Sequence, residues 1–117
     1  MTTKIVKRNN QTIIFIIPTF GRRRIILKKI EFLDRVFQDE NLADLMIYIV
    51  FSQPDKKLLI ELKEAIAHSF LSSRIRLIIE SERRGKAAAI NLALNQSIKE
   101  LMRRPDIVII NDDDAFF

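Results

Sequence analysis

The sequence predicts an α/β fold: a mostly parallel β-sheet with helices on both faces. Four short runs rich in Ile, Val and Phe alternate with three longer segments of helical spacing. The short runs are nearly continuous apolar stretches, as expected of strands covered on both faces. At 117 residues, 48% of them hydrophobic, the chain can bury the core of one domain, taken here as residues 1–117.

The first run is "TIIFIIP" (Thr12–Pro18). Ile26, Ile30, Leu33 and Phe37 follow at i, i+4, i+7 and i+11, one apolar stripe on a helix. The second run is "LMIYIVF" (Leu45–Phe51). After it, Ser52 and Asp55 resemble a capping box with Pro54 in the first turn. Leu59, Leu62, Ile66 and Phe70 form the second stripe. "IRLIIE" (Ile75–Glu80) is the third strand, and Ile90, Leu94, Ile98 and Leu101 form the third stripe. Pro105 closes that helix and opens the last run, "DIVIIN" (Asp106–Asn111). His68, the single histidine, reads as a surface or helix-end residue, and Asn91 as helix packing or an internal cap.

Composition narrows the function classes. There is no cysteine, which excludes a disulfide framework and a thiolate metal site and suits a cytoplasmic location. No apolar run is long enough to span a bilayer, and "MTTKIVKRNNQ" lacks the apolar region of a signal peptide. The net charge of +5 favours anionic partners.

In open α/β sheets, ligands sit at the carboxyl ends of the strands. Here those ends read "PTFGRRR", "SQPDKK", "SERRGK" and "NDDD". Three are basic and one is acidic. Adjacent carboxylates repel, and a divalent cation would offset that. All-oxygen ligation suits Mg²⁺ or Mn²⁺. If strand geometry persists, Asp112 and Asp114 share one side and Asp113 takes the other.

"IIFIIPTFGR", "RRGKAAAINLAL" and "IINDDDAFF" resemble, in order, three motifs of the GT-A glycosyltransferases, family 2 in particular. They are the first strand with its Pro-Thr-aromatic turn, the Gly-Lys-Ala segment and the Asp-x-Asp motif. The resemblance covers nearly the whole chain and implies the nucleotide-sugar-binding half of that fold. It implies a UDP- or GDP-sugar donor, Mn²⁺ or Mg²⁺ as cofactor, and an acceptor the sequence does not identify. It makes Asp114 the principal metal ligand and puts Asp112 on the metal or the donor, with Asp113 the variable middle position. Pro18, Thr19 and Phe20 would wall the base and ribose. Gly85 and Lys86 match the loop leading into the third helix, whose amino end favours an anion. Apart from the resemblance, Arg22 to Arg24 open the first helix against its dipole, and a phosphate partner, taken here at Arg22, would compensate.

Two departures stand out. Many family members carry an aspartate after the second strand that reads the base; Ser52 and Gln53 stand there instead. The family's general-base carboxylate and acceptor site lie after the Asp-x-Asp motif, and this chain stops at Phe117. The expectation is therefore a chain truncated after that motif, with exposed apolar surface, poor transfer by itself, and membrane association only through missing segments. The alternatives are a nucleotidyltransferase-like protein, whose Gly-rich triphosphate loop is lacking, and a non-catalytic module binding nucleotide or nucleic acid. On the leading reading no nucleic-acid partner is expected.

Overall fold

The computed structural model describes residues 11–38 and 44–116. The strands are β1 (Ile13–Phe20), β2 (Leu45–Ser52), β3 (Ile75–Glu80) and β4 (Ile107–Ile110). The helices are α1 (Ile25–Phe37), α2 (Lys56–His68) and α3 (Lys86–Leu101). The four strands form one sheet in the order β3-β2-β1-β4, and every pairing is parallel. The expected α/β class with a parallel sheet is what the chain adopts.

Side chains alternate across each strand, so β1, β2 and β3 each feed two cores. On one face Phe15, Ile17, Ile47 and Ile49 pack against Ile26, Ile30 and Leu33 of α1 and Leu58 and Leu62 of α2. On the other, Ile14, Ile16, Tyr48 and Val50 pack against Ala89 and Ala93 of α3. The small residues of α3 let its backbone approach the sheet. Its buried line is therefore Ala89, Ala93 and Ser97, with Ile90 and Leu94 only partly buried, one residue from the expected stripe.

Further expectations are corrected. Asp55, not Ser52, caps α2, accepting from the Leu58 N–H at 3.1 Å, and Pro54 precedes the helix. Phe70 lies beyond the helix and is exposed; Leu71 is buried in its place. Asn91 is exposed rather than packed. The last strand is not covered on both faces: all four residues of β4 are exposed among the described residues, Ile110 by 47%. Among the described residues β4 pairs with β1 alone, and α3 contacts β1 and β2.

β1 is central, with β2 on one side and β4 on the other. The chain steps outward from β1 to β3, then returns through α3 to β1's free side. The carboxyl ends of β1 and β4 thus flank a topological switch point, where open α/β sheets hold ligands.

Candidate functional site

A cleft of about 330 Å³ opens at that switch point. β1 contributes Pro18, Thr19 and Phe20, and β2 contributes Ser52. Arg23 comes from the turn before α1. Arg83, Gly85, Lys86 and Ala89 come from the loop and first turn of α3. Asp112, Asp113 and Asp114 close the far wall.

The three aspartates stand past the end of β4, in a turn where the Ala115 N–H donates to the Asp112 carbonyl at 3.1 Å. Asp113 points inward and is 4% exposed. The Thr19 hydroxyl donates to its Oδ2 at 2.7 Å. Arg23 donates to both oxygens, Nε to Oδ2 at 2.7 Å and Nη2 to Oδ1 at 2.8 Å. Burial works against the charge of Asp113, but the bonds from Arg23 and Thr19 outweigh it and hold the carboxyl below its usual range. Arg23 is correspondingly locked in its charged form by Asp113. Asp113, the variable middle position in the resemblance, is thus the tie between β4, β1 and the start of α1.

Asp112 and Asp114 point the other way and are exposed. Asp112 Oδ1 is 2.6 Å from Lys86 Nζ. Asp114 Oδ2 is 3.5 Å from Arg23 Nη2. Among the described residues no group of three or more His, Asp or Glu side chains converges as a metal cage. Two open carboxylates fit a cation that takes its remaining ligands from phosphate and water, the usual habit of Mg²⁺.

Gly85 precedes α3 with φ +99°, a conformation side chains rarely adopt, and open space lies beside it. Its need is therefore the backbone angle rather than room for a ligand. The turn it makes presents the amino end of α3, which favours anions, to the cleft. Arg83 lies 3.5 Å from the centre of the Phe20 ring, and Arg23 lies 5.3 Å from it.

Two expected contacts lie outside this cleft. Arg22 is turned to solvent, its side chain 90% exposed and 3.8 Å from Asp55. Gln53 takes a left-handed conformation, φ +47°, and is exposed. Arg24 is likewise directed elsewhere, onto Glu61 of α2.

Sequence reasoning missed Lys29. This lysine of α1 is fully buried. Its ammonium donates to the Ala115 carbonyl and lies 5.6 Å and 5.3 Å from the Phe32 and Phe116 rings. Burial lowers its pKa, while Asp113, Asp112 and Asp114 pull it back up. The signal available was a lysine inside an otherwise apolar stripe, one residue before Ile30.

No family model matches the chain, and no curated protein matches it. Solved structures do. A mannosyltransferase from Pyrobaculum calidifontis, in complex with GDP-Man and Mn²⁺, is similar with 27% identity and a TM-score of 0.68. The match covers 90% of this chain and 28% of that one. TarS from S. aureus is similar at 15% identity and a TM-score of 0.59, covering 91% of this chain and 17% of its own. This chain therefore has a glycosyltransferase-type α/β fold, the one the three motifs resemble, and spans under a third of each of these proteins.

Proposed function

We propose that the chain is the donor-binding part of a metal-dependent glycosyltransferase of the family 2 type, which binds a UDP- or GDP-sugar with Mn²⁺ or Mg²⁺. The observation that carries this reading is the convergence of Asp112, Asp114, Lys86 and the amino end of α3 on one cleft at the switch point. Anion-binding and cation-binding groups face each other there, as a metal-bridged diphosphate requires.

In this reading Asp112 and Asp114 hold the metal through their exposed carboxylates. The metal, when bound, supplies the charge that stabilises the departing nucleoside diphosphate. Lys86, now paired with Asp112, turns to a phosphate oxygen. Pro18 and Phe20 wall the base and ribose. Thr19 acts indirectly, through Asp113. The acceptor lies outside what these residues define. No described helix is long and apolar enough to cross a membrane.

Thermal melting with Mn²⁺, UDP and GDP, each alone and combined, tests this. A ligand at about a hundred times its Kd adds roughly 2.7 kcal/mol. The expected result is a nucleotide shift that needs metal and disappears in Asp114→Ala. Salt-sensitive binding of polyanions without metal, unchanged in Asp112→Ala and Asp114→Ala, would instead favour a nucleic-acid-binding module.

A further inference from the structure

Lys29 is a cation fixed in place. It lies on α1 with none of its surface exposed, behind the turn that carries the three aspartates. Its ammonium donates to the Ala115 carbonyl and faces the Phe32 and Phe116 rings, which meet edge-on at 5.1 Å. Two ring faces favour an ammonium over a neutral amine. Burial opposes that charge, and Asp113, Asp112 and Asp114 support it.

The charges around the cleft follow. Asp112, Asp113 and Asp114 bring three carboxylates, and Arg23, Arg83 and Lys86 line the same cleft as three cations. Lys29, behind the aspartates, is a fourth. Among the described residues, cations here outnumber carboxylates before any ligand enters. The repulsion between aspartates that a metal would relieve is already relieved by the protein. The cations differ in freedom. Lys86 and Arg83 are exposed and can turn to a ligand. Lys29 is enclosed, and in a medium of low dielectric its field reaches whatever Asp112 and Asp114 hold. A bare divalent ion would add positive charge to a site that is positive already. The same ion carried by a nucleoside diphosphate arrives with net negative charge.

We infer that Lys29 is a fixed counter-charge that keeps Asp112 and Asp114 from holding a divalent cation by itself, so that the cleft takes up the metal only together with a diphosphate. This rests on the donor-site reading above. Lys29 touches neither ligand and acts through the aspartates.

Two titrations test it on wild type, Lys29→Met and Lys29→Gln. One adds Mn²⁺ alone, followed by the EPR signal of the free ion. The other adds UDP and GDP calorimetrically, in EDTA and in Mn²⁺. Wild type should bind Mn²⁺ alone weakly, and Lys29→Met should bind it about tenfold more tightly. Metal-free nucleotide should bind Lys29→Met about tenfold more weakly than wild type. Opposite signs for the two ligands are the mark of a charge. Lys29→Gln keeps a donor for the Ala115 carbonyl without the charge, and should behave as Lys29→Met does. If Lys29 only anchors the turn, Lys29→Gln will resemble wild type, or both variants will weaken metal and nucleotide together. Either result would overturn the inference, as would equal binding of Mn²⁺ alone by wild type and Lys29→Met. Absence of binding by either nucleotide in Mn²⁺ to wild type would overturn the donor-site reading itself.

Discussion

The cleft has a sewn side and an open side, and three consecutive aspartates are divided between them. Asp113 lies on the sewn side, bonded to Thr19 and Arg23, with Lys29 fastening the next residue but one. Asp112 and Asp114 lie on the open side, both exposed, with Lys86 2.6 Å from Asp112 and the already engaged Arg23 3.5 Å from Asp114. The same side chain is scaffold in one place and available ligand in the other two. Burial and the number of donors decide which. A carboxylate with three hydrogen bonds inside the protein has little left for a metal, whereas a solvated one can exchange its partner.

Breaking the sewn side should have the largest effect. Asp113→Ala removes the shared partner of Thr19 and Arg23 and should cost about 3 kcal/mol, read as the shift of a urea midpoint. The same asymmetry should appear against pH. The Asp113 pKa is lowered by folding, so its stabilisation is complete above the ordinary carboxylate pKa of about 4 and drains away as pH falls through the folded value. Wild type should lose stability steeply on acidification, and Asp113→Ala should show a shallower acid limb.

Thr19→Val removes one of the three bonds and should cost about 1 kcal/mol. Lys29→Met is subtler. The buried ammonium gains the Ala115 carbonyl but loses its hydration, so the net change should stay under about 1 kcal/mol. Its signature is in pH. A lysine with a lowered folded pKa makes stability rise as pH climbs from that value towards 10.5, and Lys29→Met should abolish that alkaline rise in melting temperature. On the open side, Asp112→Ala and Asp114→Ala should change unfolding free energy by less than about 0.5 kcal/mol. A large loss in either would erase the distinction between the two sides.

The order of elements was readable along the chain because hydrophobic period and strand composition are local properties. β1 and β2, both buried on two faces, needed no tertiary information. Gly85 could also be singled out, in a chain with only two glycines. The resemblance led to the cleft, since Pro18, Thr19, Phe20, Ser52, Gly85, Lys86, Asp112 and Asp114 all line it.

What no local pattern contains is the pairing of residues far apart. Arg23 meets Asp113 across 90 positions, and the arginine run "RRR" gives no reason to choose the middle one over Arg22. The choice follows from the turn after β1, which sends Arg22 to solvent, Arg23 into the cleft and Arg24 to α2. The exposure of β4 has the same origin. Its composition matches that of the covered strands, but burial belongs to neighbours, and α3 comes down over β1 and β2. The chain's residue types and their spacing specify the layers of this fold and the presence of an acidic cluster. Which aspartate anchors and which two stay open is decided by packing, because only the assembled sheet brings donors from β1 and the start of α1 to one of the three.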